Sequence, residues 1–156
     1  TWGALGSQWG INKTMAQIHA LLMVSNEAVS MEEVMEELQI SRGNASMNLR
    51  ALMDWGIVYK EYKAGERREF FTAEKDLDEL AVKISRERSK REIKPALKIL
   101  KDVSSISANN TEEEKHFVEQ TTKLYDFVLQ ADNVLDKITE YRDNWLAQLF
   151  MKIMKK

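Results

Sequence analysis

The chain has 156 residues, 44% of them hydrophobic and 31% charged, with a formal net charge of −2. That mixture belongs to a soluble, foldable chain, either one domain or a small domain with an oligomerisation arm, and it excludes a basic field over the whole surface. Cysteine is absent, which excludes disulfides, thiolate nucleophiles and zinc–thiolate sites, and no apolar run approaches the roughly 20 residues of a membrane span.

The chain begins at Thr1, and "TWGALGSQWG" reads as the inside of an element. A few residues of the natural protein are therefore expected to precede it. No signal peptide is visible, and a cytoplasmic setting is the expectation.

Asn12 caps the first predicted helix, with Ile11, Met15, Ile18 and Leu22 on one face at helical spacing. The polar run Ser25-Asn26-Glu27 ends it. Ser30 with Glu33 forms a capping box. It opens a second helix over 31–39 with Val34, Met35 and Leu38 turned inward. Ser41 caps a third helix almost at once, and Gly56 stops it in the C′ position.

The period then changes. Residues 57–62 and 67–73 are rich in β-branched and aromatic side chains, and "KAGE" supplies a turn between them. Helical spacing returns from Asp76 through Leu77, Leu80, Ala81 and Ile84, and again at Ile93, Leu97 and Leu100. Pro95 should kink or restart that helix because it lacks an N–H. "SSISANN", residues 104–110, reads as a linker. Thr111 with Glu114 is a second capping box. Beyond it, Phe117, Thr121, Leu124, Val128, Ala131, Leu135, Ile138, Arg142 and Trp145 alternate by four and three, an a/d seam of about four heptads.

Three helices followed by a hairpin is the order of a winged helix. The second helix of such a helix-turn-helix lies in the major groove. On the third helix, Ala45, Leu49 and Leu52 form the inner face. Gly43, Met47, Arg50 and Asp54 lie opposite, flanked by Asn44 and Ser46, with Ser41 and Arg42 at the start. Arginine can take guanine O6 and N7, and asparagine can take adenine N6 and N7. Gly43 costs a helix roughly 1 kcal/mol against alanine, which close approach to a phosphate or a neighbouring helix would explain. Lys63, Arg67 and Arg68 flank the hairpin tip and suit a wing over the minor groove or backbone. Over 41–68, six basic residues face three acidic ones, opposite in sign to the chain as a whole. The bland alternative is an ordinary solvated helix face.

The segment "ISRGNASMNLRALMDWGIV" resembles the recognition helix of the GbsR/MarR-like bacterial transcriptional regulators. "KAGERREFFTAEKD" resembles their wing, "WGINKTMAQIHALLMVS" their first helix, and "RERSKREIKPAL" their long helix after the wing. The similarity spans about residues 2–100; beyond 110 the heptad count stands alone. The resemblance implies a dimeric winged-helix protein that binds double-stranded DNA. Some relatives respond to choline or other osmolyte-related ligands, but no residue pattern here carries such an effector across.

Other features have plainer readings. Trp2, Trp9 and Trp55 with Tyr59 and Tyr62 have the composition of an aromatic cage for a quaternary ammonium, and also of hydrophobic packing. His19, among apolar residues, reads as a satisfied core histidine. His116 beyond "EEEK" could mimic a metal cluster, but an acidic first turn simply suits the helix dipole. "SRERSKR" is a basic helix face, and the terminal "FMKIMKK" suits a partner helix better than a membrane. No nucleophile set, paired-carboxylate cleft or phosphate loop appears. No enzyme, metal or cofactor is expected.

The sequence thus predicts a mainly α protein. Residues 1–75 form a winged helix-turn-helix DNA-binding domain with a two-stranded wing. Residues 76–156 form a helical linker and dimerisation region, its seam on Phe117, Leu124, Val128, Leu135, Ile138 and Trp145. The predicted function is a homodimeric transcriptional regulator reading DNA through Ser41, Arg42, Asn44, Ser46, Met47 and Arg50, with Lys63, Arg67 and Arg68 on the wing. The alternative is a winged helix used for protein–protein assembly without DNA.

Overall fold

The computed structural model describes residues 1–105 and 111–154, with side chains as far as Lys137. The fold is mainly helical with one small sheet. In chain order the elements are α1 (Trp2–Gln8), α2 (Lys13–Val24), β1 (Val29–Ser30), α3 (Met31–Leu38) and α4 (Arg42–Asp54). Then come β2 (Val58–Glu61), β3 (Phe70–Ala73), α5 (Leu77–Arg88), a π-helical turn (Ser89–Ile93), α6 (Lys94–Ser104) and α7 (Glu112–Met154). Two compact units result, Thr1–Ile84 and Ser85–Lys156.

In the first unit the predicted caps form. Asn12 accepts from Met15 N–H, and Ser30 with Glu33 makes the full capping box. Gln39 takes the left-handed conformation at φ 52° to end α3, which lets Ser41 open α4 three residues after Leu38. Gly56 follows α4 at φ +70°, a region that glycine enters without a Cβ penalty.

The core of this unit joins Met15, Ile18 and Leu22 of α2 with Val34 of α3 and Ala45, Leu49 and Leu52 of α4. Ile57, Val58, Phe71, Ala73 and Leu80 close it from the sheet and α5. The face expected to point inward on α4 is therefore the buried one. Lys75 supplies a cap that the sequence does not advertise. Its ammonium donates to the carbonyls of Leu22, Met23 and Ser25 at 2.6, 2.7 and 2.8 Å, satisfying acceptors that a helix C-terminus leaves open.

Four features differ from expectation. The N-terminal stretch is a separate helix, α1, laid on α2 through glycines. A Cβ at Gly6 would stand 2.6 Å from Ala16 Cβ, and one at Gly3 would stand 2.7 Å from Gln17 Cγ. The sheet has three strands in the order β1-β3-β2, all antiparallel, because Val29 and Ser30 pair with Phe71 and Phe70. The second wing strand starts at Phe70 rather than at residue 67, so Arg67 and Arg68 lie in the tip loop. His19 is buried in the core as expected, but its Nε2 has no hydrogen-bond partner among the described residues. Burial first, and the charge of Lys75 second, hold its pKa below 6.5.

In the second unit Pro95 restarts the helix by way of the π-helical turn, which widens the backbone where proline cannot donate. Thr111 and Glu114 form the second capping box. Helix α7 packs on α6. Among the described residues of this unit, the buried ones are Glu87, Ser89 and Asp132, with Ser89 Oγ donating to Asp132. The unit buries no hydrophobic side chain to the same degree among those residues.

The seam read from the sequence is divided between two sides of α7. Of its residues, Thr121, Val128 and Leu135 are half-covered, as are Val118 and Tyr125 outside it, whereas Phe117, Leu124 and Ala131 are exposed, as are Phe127 and Val134 outside it. The side chains of Ile138 and Trp145 lie outside the described residues. Among the described residues no helix is long and apolar enough to cross a membrane.

Candidate nucleic-acid interface

Helix α4 has two chemically distinct sides. Ala45, Leu49 and Leu52 are buried, and that burial fixes what the other side presents. Met47 is 61% exposed, and Arg42, Gly43 and Arg50 are exposed beside it. Asn44 and Ser46 are half-buried on the flanks. A Cβ added at Gly43 would meet nothing within 4 Å. Among the described residues, then, no neighbouring helix explains that glycine.

Each polar group at the start of α4 has a definite setting. The Ser41 hydroxyl accepts from Asn44 N–H at 3.3 Å and so acts as the N-cap. Arg42 Nη1 reaches Glu32 Oε1 of α3 at 3.3 Å across open solvent, a pair worth at most about 1 kcal/mol. Arg50 has no ion pair among the described residues. Asn48, absent from the sequence-based set, is buried at 3% exposure. Its Nδ2 donates to the Asn44 carbonyl at 2.8 Å and to Asn44 Oδ1 at 2.7 Å.

The wing tip turns at Gly65, φ +81°, with Glu66 N–H donating to Lys63 C=O. Its charges are largely engaged. Arg68 holds Glu66 through two bonds of 3.1 and 3.0 Å, and this contact lowers the Glu66 carboxyl below its ordinary pKa. Lys60 pairs with Glu69. Lys63 stands 4.0 Å from Glu27 and 4.4 Å from the centre of the Phe70 ring. Arg67 is exposed and has no ion pair among the described residues. The acidic start of α3 adds to this pattern. Arg68 is kept protonated first by Glu66 and then, from farther off, by Glu33 and Glu32.

The wing base is tied to α5. Tyr59 OH donates to Glu74 Oε2 at 2.6 Å, and Lys83 Nζ donates to the same oxygen at 2.8 Å. The five aromatic residues with the composition of a cage have separate settings. Trp55 packs on the core, Tyr59 sits in this cluster, and Tyr62 is exposed with Lys60 over its ring. Trp2 and Trp9 are exposed on α1.

A helix-turn-helix followed by a small antiparallel sheet defines a winged-helix protein. Residues 9–69, the winged-helix part of the chain, match the model of the MarR family. Over 68 residues the chain is 31% identical to the HTH-type transcriptional repressor GbsR of Bacillus subtilis (strain 168). That match covers 44% of this chain and 37% of the repressor, so the chain spans well under two thirds of that relative. A crystal structure of a transcriptional regulator is similar in fold, with a TM-score of 0.66 at 18% identity over 92% of this chain and 93% of that one. An S. aureus MepR–DNA complex aligns over 99% of this chain and 85% of that one, at 13% identity and a TM-score of 0.41.

Proposed function

We propose that the protein is a sequence-specific regulator of transcription that binds double-stranded DNA as a homodimer in the cytoplasm. The observation that carries this is the two-sided α4. Its apolar side is locked into the core, so Arg42, Asn44, Met47 and Arg50 are held outward on a rigid element of the width a major groove admits. Gly43 opens the backbone at the helix start, where N–H groups favour a phosphate. Ser41 serves by capping the helix rather than by touching a base, and Ser46 flanks the reading face. Lys63, Arg67 and Arg68 serve as backbone contacts from the wing. Functionally, residues 1–75 read DNA and residues 76–156 join two copies.

A second copy of this chain is the partner that the exposed stripe of α7 fits. Phe117, Leu124, Phe127 and Val134 recur along one side, and covering each such side chain contributes roughly 1.5–3 kcal/mol. Val128 and Leu135 support that stripe from the half-covered side.

The pairing of Arg68 with Glu66 and of Lys60 with Glu69 favours a second reading, in which the wing docks on a protein. A salt titration separates the two. Affinity for a random duplex should fall steeply with salt, because bound phosphates release counterions. Absence of duplex binding at low salt would leave the protein-docking reading.

A further inference from the structure

Asn44 and Asn48 stand one turn apart on α4, and their side-chain amides are ordered by a backbone atom. A carbonyl can only accept, so the Asn48 amide must turn its nitrogen toward the Asn44 carbonyl, 2.8 Å away. The same nitrogen lies 2.7 Å from the Asn44 side chain, which must answer with its oxygen. The orientation of Asn44 is therefore set by chemistry rather than by choice of atom label. Its Oδ1 is drawn toward Asn48, and its Nδ2 has no partner among the described residues. Asn48 is itself buried beside Leu49, so it has little room to turn away.

We propose that Asn48 is a positioning residue that fixes Asn44 as a hydrogen-bond donor toward the major groove, making guanine the preferred base at the position Asn44 contacts. The inference rests on the DNA-reading role of α4. An asparagine with both ends free suits adenine, giving a proton to N7 and taking one from N6. With its oxygen held by Asn48, Asn44 offers two N–H groups and a compromised acceptor. Guanine presents two acceptors side by side, N7 and O6, whereas adenine presents a donor at the second place. The adenine contact expected for Asn44 from the sequence is thereby replaced by a guanine contact.

The test uses the full chain and a selected duplex in which each base pair is varied in turn. Asn44→Ala locates the position it reads, as the one whose preference collapses. There the unsubstituted protein should favour guanine over adenine by roughly 5-fold or more. Asn48→Leu fills the buried site but frees Asn44, so the guanine preference should be lost or pass to adenine while the salt slope stays unchanged. Asn48→Ser is a second variant that keeps a hydroxyl for the backbone carbonyl but cannot span to Asn44 Oδ1. It should give the same loss, with folding checked by thermal melting. A third arm, Asn44→Asp, exchanges the donor for an acceptor and should move the preference to cytosine. Guanine preference that survives in a folded Asn48 variant, or adenine preference in the unsubstituted protein, overturns the inference but leaves DNA reading intact. Equal affinity for all duplexes overturns both.

Discussion

Lys83 of α5 donates to Glu74 at 2.8 Å and so ties the helix after the wing to the wing's last strand. The Glu74 carboxyl lies at about 2 instead of 4.5, lowered first by the bond from Lys83 and then by that from Tyr59. Burial alone would lower the Lys83 pKa, but the bonds to Glu74, Tyr59 and Glu79 together raise it.

The sign of the pH effect follows. A carboxyl with a depressed folded pKa contributes stability that is present above about pH 4.5 and lost as pH falls toward 2. The raised ammonium contributes below its ordinary 10.5 and loses that contribution at higher pH. Both side chains are about a fifth exposed, so Lys83→Met should cost on the order of 1 kcal/mol at neutral pH. In urea melts the gap between variant and parent should narrow between pH 4.5 and 2. A gap that stays constant over that window would remove Glu74 as its source.

Gly43→Ala separates stability from binding. A Cβ there meets nothing, so the helix should gain up to roughly 1 kcal/mol from the better helix former. If a phosphate approaches that backbone, duplex affinity should fall in the same variant. A variant that melts higher and binds as before would leave Gly43 without a part in the interface.

The wing arginines should differ. Arg67 is unpaired among the described residues, whereas Arg68 must release Glu66 to reach a phosphate. Arg67→Ala should lower the salt slope by about one ion, and Arg68→Ala by less. Equal slopes for both variants and the parent, in a titration from low to physiological salt, would place the wing away from DNA.

Phe127 is 70% exposed and Val134 is 56% exposed. Phe127→Glu with Val134→Glu should give monomers in sedimentation at micromolar concentration and weaken operator binding, because a dimer reads two half-sites together. Dimers that persist in the double variant would place the interface elsewhere.

The legible parts of this fold were those governed by short-range chemistry. Ser30 with Glu33, Thr111 with Glu114 and Gly56 mark their helix ends because capping involves residues only a turn apart. Ala45, Leu49 and Leu52 declare the inner face of α4 by spacing alone. Contacts between distant segments were less visible. Gly3 and Gly6 weaken a helix on local propensity, and their value appears only against Ala16 and Gln17. Val29 and Ser30 are too few to show a strand period. The heptad pattern through Leu124 and Val128 did not reveal that α6 covers one side of α7. Asn48 is absent from the residues read from the sequence, although an asparagine pair four apart on one helix is a signal that the two amides meet.

Base reading by the outward side of α4 is what the proposed function requires first. The most direct measurement is binding-site selection from a random duplex pool, run in parallel with the parent protein and Arg50→Ala. The parent should enrich a two-fold-symmetric motif with half-sites about one helical turn apart. The variant should lose preference at one position in each half-site, a change of about 1–3 kcal/mol in discrimination, while keeping the rest. A parent that enriches no motif, or a variant that enriches the same motif with the same stringency, would contradict the account.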